Sequence, residues 1–290
     1  MLPAGYRGLP DVTRTLGELR SARVHAIGAS VQGAAIHAAS FGPAHARDVS
    51  IVIGGLHAIE WIGVETALAI AARIDREPPR DRVVHVIALA NPDGYHAIER
   101  DLWRGRRRFR RTNANGVDLN RNWATGFWPR RKWMSGFNWG GLAACSEPEV
   151  AAIVGLCDRE VARGARVETA LSLHSFGRKL LVPYGGRWRR PARYRELHER
   201  ARGVQSRLVE RYTIDQVSRW LPGAFVYGME IDDLHDRYGA CALLVECAFG
   251  GFSPFDPATW LAPFHWYNPR RPSRVVAELA LALEPFVRGG

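Results

Sequence analysis

The sequence predicts an α/β fold on a mostly parallel sheet, and three observations carry that prediction. Short β-branched apolar runs alternate with amphipathic stretches along the whole chain. Polar side chains capable of chemistry stand where several of those runs end, which is where open α/β sheets place their sites. The chain has 290 residues and is 47% hydrophobic, enough for one large core. One domain spanning residues 1–290 is expected.

The elements follow in order. "DVTRTLGELRSAR" has the pattern of a short amphipathic helix. "VHAIGASVQGAAIHAASFG" reads as two strands joined by a turn near Ser30 to Gly33. "DVSIVIGGL" is β-branched and apolar throughout, as a central strand should be. "VETALAIAARIDR" has helical periodicity and stops before Pro78 and Pro79. "RVVHVIALANPDGY" is a strand ending in an Asn-Pro-Asp-Gly turn. "CSEPEVAAIVGLCDREVARG" predicts a helix capped by Ser146, with Glu149 completing a capping box and Pro148 in the first turn. "VETALSLHSF" is a strand ending in a histidine. "YRELHERARGVQSRLVERY" predicts an exposed helix, "GACALLVECAFGG" a further strand and "SRVVAELALALEPFV" a closing helix.

Charge and cysteine content narrow the function classes. The net charge is +11, and Lys132 and Lys179 are the sole lysines, so arginine supplies the excess. Arginine forks carboxylates and phosphates bidentately. The run "RGRRRFRRTNANG", Arg104 to Gly116, is the best nucleic-acid candidate, although a nucleic-acid partner is not expected. Cys145, Cys157, Cys241 and Cys247 form no C-x-x-C pair and suit buried thiols of a reducing compartment. The first residues lack a signal-peptide core, and no run has the length of a membrane span. A cytoplasmic protein with no membrane partner is expected.

The chemistry begins in "IVIGGLHAIEWIGVE", Ile51 to Glu65, where His57 and Glu60 stand three apart at a strand end. An isolated H-x-x-E carries little weight. Here His174 ends another strand, and Glu246 sits inside the apolar run "ALLVECAF", where an unpartnered carboxylate is costly. Two histidines and a carboxylate are a common ligand set for catalytic zinc. "NGVDLNRNW" adds Asp118, Asn120 and Arg121 within a few residues.

With these pieces in order, "GGLHAIEW", "NPDGY", "LWRGR", "GVDLNRNW", "SEPE", "LSLHS", "VPYG" and "LLVEC", the sequence resembles the zinc carboxypeptidase family that includes carboxypeptidases A and B. The resemblance implies a three-layer fold with an eight-stranded mixed sheet, and one Zn2+ per chain. It implies that His57, Glu60 and His174 hold the zinc and that Glu246 is the general base. It assigns Arg104 to polarising the scissile carbonyl, Asn120 and Arg121 to binding a free C-terminal carboxylate, and Asp118 to orienting a histidine ligand. The implied partner is a peptide with a free C-terminus.

Three features depart from the pattern. Ile59 stands between the first two ligands, where digestive members carry a polar residue. The mobile tyrosine that covers substrate has no clean match, and Tyr227 is the nearest. The digestive members carry an activation propeptide, and none is expected here. In "GMEIDDLHDRYG", Ile231 or Asp232 fills the position that selects the terminal side chain, and Asp232 favours a basic or amphoteric one. A related amidase acting on a murein peptide or an acylated amino acid is the second enzymatic reading. An inactive relative binding polyanions is the non-enzymatic one. The tryptophan-rich stretch "WATGFWPRRKWMSGFNWGG" suits either a substrate rim or a loop packed on the sheet.

Overall fold

The computed structural model describes residues 2–129, 138–220, 223, 225–253 and 255–290, without the side chains of 257 and 258. In chain order the elements are α1 (Leu9–Gly17), β1 (Arg23–Ala29), β2 (Ala35–Phe41), β3 (Asp48–Gly54), α2 (Trp61–Arg76), β4 (Arg82–Ile87) and α3 (Pro92–Trp103). A 3-10 turn (Leu119–Arg121), α4 (Pro148–Ala162), β5 (Arg166–His174), β6 (Lys179–Val182), α5 (Tyr194–Gln205) and β7 (Thr213–Gln216) come next. The chain closes with α6 (Val217–Trp220), α7 (Glu230–Tyr238), β8 (Cys241–Glu246), α8 (Pro257–Trp260), α9 (Pro263–Tyr267) and α10 (Ser273–Val287).

The strands form one eight-stranded sheet in the order β1-β2-β4-β3-β5-β8-β6-β7. Its central pairs, β4–β3, β3–β5 and β5–β8, are parallel. The β1–β2, β2–β4 and β6–β8 pairs are antiparallel. Strands covered on both faces are apolar throughout rather than alternating. That is why β3 and β4 are almost wholly buried. Two apolar clusters lie on opposite faces of the sheet. One packs α2, α5 and α10, with Trp61 stacked on Tyr95 at 4.0 Å. The other holds Val150, Ile153, Leu156, Ile231 and Leu234 of α4 and α7.

This topology places the chemistry. β3, β5 and β8 are neighbours and run the same way, so their carboxyl ends lie side by side. His57 and Glu60 follow β3, His174 ends β5 and Glu246 ends β8, where it is the register partner of His174. Gly63 permits the approach of α2 to β5, because a Cβ there would meet the Leu173 carbonyl at 2.6 Å.

Local expectations fail where tertiary partners outcompete local chemistry. "NPDGY" is a helix start: Asn91 caps α3 by accepting the Gly94 N–H at 2.9 Å. The capping box at α4 does not form. Ser146 Oγ donates to Glu147 at 2.8 Å, while Glu149 accepts from Asn113 Nδ2 at 3.0 Å and from the Val31 N–H at 3.2 Å. The four cysteines are free, and Cys157, Cys241 and Cys247 are buried.

Candidate metal centre and substrate cavity

Backbone geometry brings His57, Glu60 and His174 together at the mouth of β3 and β5, all three buried. Their donor atoms lie within 4.8 Å of one another. His57 Nδ1 faces His174 Nδ1 at 3.0 Å and Glu60 Oε1 at 2.9 Å, and His174 Nδ1 lies 3.0 Å from Glu60 Oε2. Both imidazoles thus turn Nδ1 toward one point.

Their Nε2 atoms turn outward onto carboxylates. His57 Nε2 lies 3.1 Å from Asp118 Oδ1, and His174 Nε2 lies 2.9 Å from Glu230 Oε1. Such partners fix tautomer and ring orientation and raise ligand basicity. Asp118, expected from sequence to orient a histidine, stands against His57. Glu230, the first residue of α7, is one that sequence reasoning missed. Its signal is faint: it is one of three acids in "MEIDD", all three are buried, and only the fold brings this one to the histidine.

Charge is arranged to keep Glu60 and Asp118 ionised. Burial would raise the pKa of Glu60, but His57 and His174 hold it well below the ordinary carboxylate range. Burial opposes ionisation of Asp118 too, and Arg111, Arg121 and His57 overcome it. For His174, burial favours the neutral ring, yet Glu230 and Glu60 push the pKa up to about 10. Ligation of a metal therefore releases a proton from this ring. Burial and the neighbouring Glu60 charge push Glu246 up to about 8. Its Oε2 is buried with no hydrogen-bond partner. A fully buried, unpartnered carboxylate oxygen beside a cluster of metal-type donors is what a bound cation and its water would satisfy, so the residues present fit zinc.

A cavity of about 720 Å³ opens over this cluster. His57, Glu60, His174, Glu246, Arg111, Asn120, Arg121 and Tyr267 line its polar end. Leu181, Val217, Val226, Met229 and Leu244 form an apolar wall. Arg121 is held by Asn138 Oδ1 at 2.7 Å and by the Asn120 carbonyl at 2.6 Å. Gly228 backs this turn closely: it has φ +66°, and a Cβ on it would lie 2.4 Å from the Arg121 carbonyl.

Four residues expected in the site stand elsewhere. Arg104 is the exposed C-cap of α3 and lies outside the cavity lining. From this basic run it is Arg111 that lines the cavity; its Nε donates to Asp118 at 2.9 Å and its Nη1 donates to Glu60 at 3.1 Å. The motif "LWRGR" points to the start of the arginine run, whereas the chain enters the site at its end. Ile231 is fully buried in the core between α7 and the sheet. Asp232 is also buried, and both of its oxygens accept the Gly185 N–H at 3.0 Å. Neither residue lines the cavity among the described residues. Tyr227 packs on Trp128 at 5.4 Å and Phe225 at 6.3 Å, also outside the lining. The tyrosine in the cavity is Tyr267 of α9, between Phe109 and Phe176. Sequence reasoning missed it because it follows Glu246, whereas the resemblance places a covering tyrosine before that glutamate.

In the tryptophan-rich stretch, Trp123 and Trp139 are buried and Trp128 is exposed, and residues 130–137 lie outside the described set.

Comparison with known proteins agrees with this geometry. The family model described as zinc carboxypeptidase matches residues 17–231. Human carboxypeptidase A5 is 30% identical over 207 residues, covering 66% of this chain and 46% of that protein. The inactive metallocarboxypeptidase ECM14 of Ajellomyces dermatitidis is 32% identical over 225 residues, covering 65% of this chain and 36% of that protein. The chain thus spans less than half the length of either relative. The crystal structure of carboxypeptidase A from Helicoverpa armigera superposes with a TM-score of 0.77 at 20% identity, covering 98% of this chain and 73% of that one. The chain belongs to the zinc carboxypeptidase family.

Proposed function

We propose that this protein removes the C-terminal residue of peptides. The observation that carries the reading is the joint lining of one cavity by the metal-ligand triad, Glu246 and the Asn120–Arg121 pair. Zinc held by His57, Glu60 and His174 would supply a Lewis acid and lower the pKa of water to roughly 7.

The remaining work falls to side chains. Arg121, fixed by Asn138, binds the terminal carboxylate with Asn120 beside it. Glu246, the register partner of His174 at the end of β8, accepts a proton from the attacking water and delivers it to the leaving amine. Arg111 stabilises the developing oxyanion with a charge that burial opposes but Asp118 and Glu60 sustain. Asp118 and Glu230 keep both imidazoles turned toward the metal. Tyr267 closes the polar end.

The wall of Leu181, Val217, Val226, Met229 and Leu244 selects an apolar terminal side chain. This replaces the basic preference inferred from Asp232, whose carboxylate is spent on backbone amides. The test compares kcat/KM for matched peptides ending in Phe, Leu, Lys and Arg, each as free acid and as amide. Free acids ending in Phe or Leu should lead by at least about tenfold, since a buried apolar side chain contributes about 1.5–3 kcal/mol. Equal turnover of acid and amide would transfer the reading to a related amidase.

A further inference from the structure

A second cavity, of about 470 Å³, lies between the end of α3, the following loop and α9. Its floor is apolar: Ile98 and Leu102 from α3, with Pro263 and Phe264 from α9. Its rim is cationic. Arg106, Arg107, Arg108 and Arg270 all line it and all are exposed.

These arginines differ from most others in the chain. Elsewhere arginines are commonly matched to acids, as in Arg73–Glu284, Arg178–Glu210 and Arg200–Glu168. Among the described residues, none of the four rim arginines has a carboxylate within salt-bridge distance. The one acid lining the cavity, Asp101, is already taken by Arg110 at 2.7 Å. The rim field reaches inward. His265 also lines the cavity, and burial together with Arg270 lowers its pKa, so it adds a neutral donor or acceptor rather than a counter-charge.

An apolar floor under unpaired guanidinium groups is complementary to an amphiphile with an anionic head. Arginine forks match phosphate and carboxylate oxygens bidentately. The volume falls within the roughly 300–1,000 Å³ range of small-molecule sites. We propose that the cavity between α3 and α9 binds a single-chain anionic amphiphile, an alkyl phosphate or fatty carboxylate, with its chain on Ile98, Leu102 and Phe264 and its head on the rim arginines. This site is separate from the zinc cavity and stands whether or not the peptidase reading holds. It also gives the arginine run Arg104 to Gly116 a role that the catalytic site leaves unfilled beyond Arg111.

Calorimetric titration of the zinc-loaded full chain with decyl phosphate, below its micelle concentration, tests the proposal. Decyl phosphate should bind at least tenfold more tightly than inorganic phosphate or decyl maltoside. Because one charged hydrogen bond contributes about tenfold or more in affinity, Arg107→Gln with Arg270→Gln should weaken binding at least thirtyfold. Leu102→Trp, which fills the floor, should weaken it similarly. Arg121→Ala, in the other cavity, should leave the binding that the rim variant loses in place, whatever it does to a separate event in the zinc cavity. Binding lost on Arg121→Ala and kept in the rim variant would place the ligand in the zinc cavity and overturn the proposal. Equal binding of decyl maltoside or inorganic phosphate would also overturn it. So would tighter binding of phosphatidic acid vesicles or of a single-stranded oligonucleotide than of decyl phosphate.

Discussion

Replacing Glu230 probes the part of the metal centre that sequence did not reveal. Its Oε1 lies 2.9 Å from His174 Nε2, with both side chains no more than 2% exposed. In Glu230→Gln the amide oxygen can still accept the Nε2–H, so ring orientation survives while the charge that raises ligand basicity is lost. Loss of an orienting partner costs about 10- to 100-fold in metal affinity, and the isosteric change should fall near the lower figure. Glu230→Leu removes the acceptor as well. Ser172 Oγ, 3.0 Å from the same nitrogen, recovers part of that loss, which places Leu near the upper figure. The assay is competition for zinc against a chromophoric chelator at pH 7.5, with Asp118→Asn as the matched substitution behind His57. Denaturation of the metal-free variants checks that each still folds. Zinc affinity unchanged in both Glu230 variants, alongside a weakened Asp118→Asn, would refute the role given to Glu230.

Three further outcomes follow from the same structure. Arg111→Ala should lower kcat by about 100-fold or more, Arg121→Ala should act mainly on KM, and Arg104→Ala should stay within about twofold of wild type because it is exposed outside the cavity. Burial raises Asp232 from 3.8 to about 7, so the folded state keeps a proton that the unfolded chain releases. Its contribution is therefore full below pH 4 and fades as pH rises to 7, by a difference on the order of 4 kcal/mol. Denaturant titrations at pH 4.5 and 7 should show Asp232→Asn losing less stability than wild type over that interval, and parallel losses would contradict it. Trp61→Ala removes a fully buried ring stacked on Tyr95 and should cost about 3–5 kcal/mol in chemical denaturation; a cost below about 1.5 would show that the core repacks.

How much of this was legible in the sequence depended on the kind of signal. Central strands β3, β4, β5 and β8 announced themselves because burial on both faces forces continuous apolar runs. The four-residue strands β6 and β7 carry too little pattern to be seen, since their edge of the sheet alternates with loops and polar residues. His57, Glu60 and His174 could be found because strand ends expose them in recognisable motifs. Glu230 and Tyr267 could not, because each reaches the site through tertiary packing, from the start of α7 and from α9. Arg104 and Arg111 differ by seven positions in one basic run, and nothing local distinguishes them. The chain path does: the Ala58 N–H donates to the Arg111 carbonyl at 3.0 Å, which pins Arg111 beside the first ligand. Asp232 misled for a similar reason, since an acid near a selecting position looks identical in sequence whether it meets substrate or two glycine amides.

The most direct test of the central claim joins metal content to proton transfer. Wild type and Glu246→Gln are loaded with zinc, analysed for metal, and assayed on a free-acid peptide ending in Phe. The account predicts one zinc per chain in both proteins, turnover in the wild type, and a loss of about 100-fold or more in kcat for the variant. Zinc bound with no wild-type turnover, or turnover unaffected by Glu246→Gln, would contradict it.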